Sequence, residues 1–206
     1  MSRLPMPLHA HPAPATRRSF HAAALGLLLL AASFCQPALA APNATYSKDG
    51  VSFEHPAGWK VTEDTVAQDE TRLRSIDLEG PDDAVVTFNI SPYLNGQNIE
   101  AFAATIAKSR NDSEKGAGAI AQQLRYSAPT TAPLTRNVAG QDNKGVSQRF
   151  VISLLGQKLP HEARFFKANL GGTTAIVMTQ VAEEYAKATE PGFTLVLKSL
   201  RYSVGR

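Results

Sequence analysis

His55 and His161 are the two imidazoles outside the N-terminal forty residues, and so the groups from which acid–base or metal chemistry would have to be built. His161-Glu162 opens like the zinc-protease pattern H-E-x-x-H, which needs a second histidine one helical turn on. Phe165 stands there instead, and the second ligand is missing. His55 shares strand parity with Val51 and Phe53 and reaches a metal only through long-range contacts. Zinc wants three or four N, S or O ligands, so a site would need His55, His161 and a carboxylate to converge. A packed or surface histidine is the plainer reading of each. G-x-S-x-G, P-loop and G-x-G-x-x-G patterns are absent. Gly171-Gly172-Thr173 lacks the lysine and spacing of a phosphate cradle and reads as a hairpin turn. The acid pairs Asp69-Glu70 and Asp82-Asp83 read as solvated loop residues and do not match a calcium loop. Asn43, Asn89 and Asn111 satisfy N-x-S/T, which matters only in a eukaryotic secretory pathway. The expectation is no catalytic residue, no metal ligand and no cofactor.

The first forty residues read as a leader. Arg17 and Arg18 precede a 13-residue apolar run over residues 22–34, and Ala38-Leu39-Ala40 places cleavage between Ala40 and Ala41. A membrane-spanning helix needs about 20 apolar residues, so this run is short for a stable anchor. Thr16-Arg17-Arg18-Ser19-Phe20 resembles the twin-arginine export motif but departs from it at His21 and Ala22, leaving general secretory and twin-arginine export both open. The net charge of +3 belongs wholly to the leader. Its Arg3, Arg17 and Arg18, taken from 21 basic residues, leave 18 against 18 acids. A balanced chain argues against nucleic acid or an anionic membrane as partner. Cys35 is the only cysteine. Lipid attachment there is disfavoured by the bulky Phe34, so after cleavage the chain has no thiol and no disulfide. Removing 40 of 206 residues leaves 166, enough for a single domain at residues 41–206 that buries roughly 70% of its unfolded surface.

The elements that would position any site centre on residues 146–181. Three strands are expected there, at 146–155, 162–169 and 174–181, reversing at Gly156-Gln157 and Gly171-Gly172. Val146, Phe150, Ile152 and Leu154 share a face with Gln148. Residues 174–181 are apolar on both sides, which marks a strand inside a sheet covered on both faces. Upstream, Asp49-Gly50 is a two-residue hairpin signal leading into Val51 and Phe53. Pro56 and Gly58 stop that strand, and Trp59 reads as a core plug. Residues 61–72 are polar and read as a loop. Strands are expected at 73–79 and 84–90. Residues 98–110 form a helix capped by Asn98, with Ile99, Phe102 and Ile106 on one stripe. Residues 113–118 read as mobile, 119–126 fit helix or strand, and 127–133 read as a loop. An edge strand at 134–138 and a turn at 142–145 follow. Thr189 caps a last helix with Pro191 in its first turn and an apolar stripe of Phe193, Val196, Leu197 and Leu200.

Gly50-Val51-Ser52-Phe53-Glu54-His55-Pro56-Ala57-Gly58-Trp59-Lys60-Val61 resembles the opening of PsbP-like (Mog-type) domains, in which a strand ends in Pro, a Trp follows and a second strand begins. Phe53, Pro56, Gly58 and Trp59 carry the motif. The later order is similar to the family too: a helix, a glycine near Gly140, a meander, and a final helix with Leu197 and Leu200. The resemblance implies an α+β fold, an antiparallel β-sheet flanked by helices (an α/β/α sandwich), in proteins that bind other proteins and rarely catalyse. The expected role is therefore a non-catalytic binding or accessory protein, exported to the bacterial periplasm or envelope, with an unidentified protein or small ligand as partner. The rivals are a pocket for an apolar small molecule roofed by the 98–110 helix, and a metal-assisted hydrolase using His55 or His161.

Overall fold

The computed structural model describes residues 42–113 and 123–203. The leader, the junction at Ala40 and Ala41, and most of the 113–126 stretch lie outside the described residues. The described residues belong to one compact unit, which holds both hydrophobic cores. The chain reads β1 (Ala44–Lys48), β2 (Val51–His55), β3 (Lys60–Val66), β4 (Arg74–Glu79), β5 (Val85–Ser91) and α1 (Ile99–Ser113). It continues through β6 (Arg125–Tyr126), β7 (Thr130–Val138), β8 (Gln141–Leu154), β9 (Gln157–Asn169), β10 (Thr174–Ala182), α2 (Ala186–Ser199) and β11 (Arg201–Tyr202). The fold is α+β and its strand pairs are antiparallel. The expected single sheet is in fact two, because the first hairpin pairs with the last strand as β1-β2-β11. The large sheet runs β3-β4-β5-β10-β9-β8-β6, with β7 also on β8.

The meander β8–β9–β10 is the middle of the large sheet. β10 lies between β5 and β9 and is buried on both faces, which is why its apolar residues do not alternate. One face packs on α1, where Ala103, Val146, Phe150, Ala163 and Phe165 are buried. The other packs on α2 and the small sheet, burying Val51, Phe53, Trp59, Phe88, Phe166, Val177, Phe193 and Leu197 among others. The α2 stripe of Phe193, Val196, Leu197 and Leu200 is 0–3% exposed. At about 1.5–3 kcal/mol per fully buried apolar side chain, it is the main stabilising contribution of the C-terminal segment. Trp59, 5% exposed, meets Phe193 edge-on at 5.4 Å. A Cβ on Gly80 or Gly192 would come within 2.6 Å or 2.5 Å of the indole, so both positions need glycine.

Several boundaries differ from expectation, each for a physical reason. Residues 60–66 are a strand, not a loop. β3 is the exposed edge of the large sheet, so no apolar alternation is required of it. β7 starts at Thr130 and β8 at Gln141, so neither 127–133 nor 142–145 is wholly loop. The reversal between them is Ala139-Gly140, both left-handed. Gly145 sits inside β8 because a Cβ there would fall 2.2 Å from the Phe165 carbonyl. The β8–β9 turn is Leu155-Gly156, one residue earlier than expected. Thr189 is not a cap. α2 begins at Ala186, and the Thr189 hydroxyl donates back to the Tyr185 carbonyl at 3.0 Å. Pro191 lies within the helix rather than in its first turn. Asn98 does cap α1, its Oδ1 accepting from the Ala101 amide at 2.8 Å.

The two sheets are clamped by a charge cluster built around the buried Arg74. Asp64 on β3 accepts from Arg74 Nε at 2.8 Å, Tyr46 Oη at 2.6 Å and Lys48 Nζ at 2.7 Å. Arg74 Nη1 also donates to the carbonyls of Lys48 and Asp49, at 3.2 Å each. The Arg74 hydrogen bond holds the Asp64 carboxyl far below its ordinary range. Burial, together with the Asp64 hydrogen bond, pushes the Tyr46 phenol up to about 12.

Candidate functional site

The large sheet leaves a cleft of about 560 Å³ where the N-terminal turns of α2 rise over β7, β8 and β9. Strand parity builds its floor. Glu162 and Arg164 on β9, Ser147 on β8 and Leu134 and Arg136 on β7 line it, and Lys187, Glu190 and Pro191 on α2 form the wall. The charges alternate. Arg136 Nη2 pairs with Glu190 Oε1 and donates to Thr194 Oγ1 at 2.7 Å. Arg164 spans both carboxylates, reaching Glu190 at 2.8 Å and Glu162 at 2.6 Å. Arg149 extends the chain from Glu162, at 3.7 Å, to Glu183, at 3.6 Å. Burial works against the Arg164 charge, but the hydrogen bonds that it donates to Glu162 and Glu190 outweigh it and raise the guanidinium above its ordinary value. Lys187, exposed at the mouth, has no carboxylate partner among the described residues.

The floor of the cleft is a row of engaged ion pairs. Each carboxylate on its floor already accepts from a guanidinium, and no imidazole lines it. The two histidines are elsewhere. His55 ends β2 in the small sheet, its Nδ1 3.0 Å from the Pro56 carbonyl. His161 lies on the α1 face of β9, stacked on Phe150 at 5.9 Å, with Nδ1 2.9 Å from the Leu159 carbonyl. Among the described residues no three His, Cys, Asp or Glu side chains gather closely enough to hold a metal. Of the motif residues, Phe53 and Trp59 are buried, Pro56 is half-buried, and Gly58 is exposed in the turn that the Trp59 amide closes on the Pro56 carbonyl at 2.9 Å.

A second, smaller cavity of about 250 Å³ lies under the start of α1. It is walled by Leu73, Tyr93, Leu94, Ala101 and Phe102, with Thr71, Gln97 and Thr105 as its polar groups.

No family model matches this chain, and no curated protein matches it significantly. Solved structures do. The solution structure of cyanobacterial PsbP (CyanoP) from Synechocystis sp. PCC 6803 is similar at a TM-score of 0.48 and 16% identity, over 82% of this chain and 97% of that one. LpqN, involved in cell envelope biogenesis of Mycobacterium tuberculosis, gives 0.36 and 8% over 79% and 91%. PA94 of Pseudomonas aeruginosa, a protein of unknown function, gives 0.32 and 14% over 73% and 90%. Each is a likeness of overall shape. None transfers a residue role or an activity to this chain.

Sequence reasoning missed the cleft. Its trace is visible in hindsight at Glu162 and Arg164, two opposite charges on one face of a strand whose following residues on that face, Phe166 and Ala168, are buried and apolar. Partners from β7 and α2 are 26 or more residues away in the chain, beyond any local pattern.

Proposed function

We propose that this chain is an exported, non-catalytic binding protein of the bacterial envelope, a PsbP-like, Mog-type member whose ligand seat is the cleft under α2. The carrying observation is the alternating row Arg136–Glu190–Arg164–Glu162. It offers fixed donors and acceptors to a polar ligand while leaving no unengaged general base. Cleft volume supports the reading, since small-ligand sites run from about 300 to 1,000 Å³. Three cations, Arg136, Arg164 and Lys187, face two carboxylates, so the ligand carries an acidic group. Export rests on the leader signature around Arg17, Arg18 and Ala38-Leu39-Ala40. Among the described residues no helix is long and apolar enough to cross a membrane. Catalysis by His55 and His161 is left out because the two rings belong to different sheets.

A photo-crosslinking residue at Ala186, which lines the cleft beside Lys187, tests this in intact cells, with the same residue at Lys144 as control. Capture of one partner or ligand from position 186 alone is the expected result. Equal capture from both, or a purified chain that turns over a substrate, refutes it. The cavity under α1 favours a second reading, an apolar small molecule seated against Leu73, Leu94 and Phe102. Native mass spectrometry of protein purified without detergent would show that ligand as a retained mass, absent from a Phe102→Ala variant.

A further inference from the structure

The β8–β9 hairpin runs past β10. β10 accompanies β9 only as far as Ala182 opposite His161, so Gln157–Pro160 have β8 on one side and no strand on the other. Four residues of strand extend about 13 Å. At the apex, Leu155 and Gly156 both take left-handed backbone, φ 52 and 82, the two-residue turn that matches strand twist. Such turns favour Asn, Asp or Gly at the first position, and the first hairpin of this chain obeys with Asp49-Gly50. Among the described residues, the non-glycine positions with positive φ are Asp49, Arg72, Asp82, Asp83, Ala139 and Leu155, and Leu155 alone of these is large and apolar. Its side chain is 68% exposed, more than any other large apolar residue described, and Leu159 beside it is 40% exposed. Backbone preference and water both disfavour leucine here, so folding does not account for it.

Charge is arranged around the same tip. Ser153 on β8 lies opposite Arg125 of β6 on one side and Lys158 of β9 on the other, a row across three strands that puts both cations on one face. Leu159 pairs with Ile152 on the opposite face. No acid occurs between Gly145 and His161. Arg125 Nη1 donates to its neighbour's carbonyl, that of Leu124, at 2.7 Å, and Lys158 has no ion pair among the described residues. The nearest acids lie at the hairpin's base, Glu162 on β9 and Glu183 and Glu184 just after β10; Glu162 is held by Arg164 and Arg149, and Glu183 by Arg149.

We infer that this tip touches an anionic lipid bilayer, Leu155 and Leu159 entering the boundary between headgroups and acyl chains while Lys158 and Arg125 meet lipid phosphates. Two features select a bilayer over a protein. An apex of two exposed leucines is far smaller than the roughly 800 Å² a stable protein interface takes from each partner. The apolar apex behind a basic collar, with no acid, also fits a surface whose charge is uniformly negative. The chain's overall charge balance argues against attraction by the whole surface, but the tip is judged by its own charge, because attraction depends on charge within about a Debye length of the lipid. The inference stands apart from the cleft, and its contact is reversible rather than an anchor.

Co-sedimentation of the chain from Ala41 onward with vesicles tests it, using phosphatidylcholine alone and an equal mixture with phosphatidylglycerol. Binding to the mixed vesicles is expected, weakening about tenfold on phosphatidylcholine alone or in high salt. Leu155→Asn, at home in a left-handed turn, is expected to keep or raise the melting temperature while weakening vesicle binding about tenfold. Lys158→Gln is expected to remove part of the preference for the anionic lipid. Equal binding by wild type and Leu155→Asn, or no binding to anionic vesicles, overturns the inference. A concentration-dependent dimer in sedimentation equilibrium that Leu155→Asn dissociates also overturns it, assigning the tip to a second copy instead.

Discussion

The two faces of the large sheet are built to different standards. Under α2 and the small sheet, twenty buried apolar residues form one continuous core, and the aromatic rings of Tyr46, Phe53 and Phe88 stack in series at 4.9 and 4.7 Å. Under α1 the apolar cluster has five buried members among the described residues, and polar groups intrude. Gln148 is 2% exposed, and Arg110 lies 4.2 Å above the Phe150 ring with its Nη2 lacking a hydrogen-bond partner among the described residues. Burial holds that guanidinium below its ordinary value. Stability is therefore concentrated on one face. The other tolerates unsatisfied polarity and a cavity, both costly in a core whose only task is to hold the fold.

The contrast can be broken at its strongest point first. Trp59→Ala should cost about 3–5 kcal/mol, a large share of a domain's total, and chemical denaturation would measure it. If the variant melts like wild type, the α2 face is not the principal core. Next comes the clamp. Arg74→Ala leaves Asp64 without its main partner and should cost about 3 kcal/mol by the same measurement. The pH dependence follows from the same group. Asp64 is held far below its ordinary value when folded and returns to about 3.9 when unfolded, so its contribution is complete above roughly pH 5 and fades as pH falls below that. At the other end, Tyr46 titrates near 10 unfolded and about 12 folded, so its contribution is lost as pH rises across that interval. Asp64→Asn should flatten the acid limb of stability against pH. Phe102→Ala, on the lighter face, should cost only about 1–2 kcal/mol because its ring is half-exposed to begin with. Lys187→Ala should change stability by less than about 0.5 kcal/mol while abolishing crosslinking at the cleft, which separates binding from folding.

What could be read from the chain alone follows the same division. The α2 face was legible because its strands and helix are amphipathic in regular steps: Val51 and Phe53, Val86 and Phe88, Phe193 and Leu197. The α1 helix was legible through Asn98 and the Ile99–Phe102–Ile106 spacing. Edge strands were not. Lys60–Val66 and the start of β8 face water, so the hydrogen-bond ladder holds them and no apolar pattern betrays them. Thr189 and Pro191 carried helix-start chemistry that the structure does not use, because Tyr185 and Ala186 had already begun the turn. The cleft was invisible because its pairs join β7, β9 and α2, and only the fold brings those charges together.

The indole wedged between Gly80 and Gly192 has an optical consequence. It belongs to the only tryptophan in the chain. Intrinsic emission excited at the red edge therefore comes from a single chromophore in the larger core, shifting when that core opens and remaining nearly silent to events at the hairpin apex or beneath α1. A fluorophore placed at either of those sites would report independently, so one sample could show whether occupancy at the periphery ever loosens the centre.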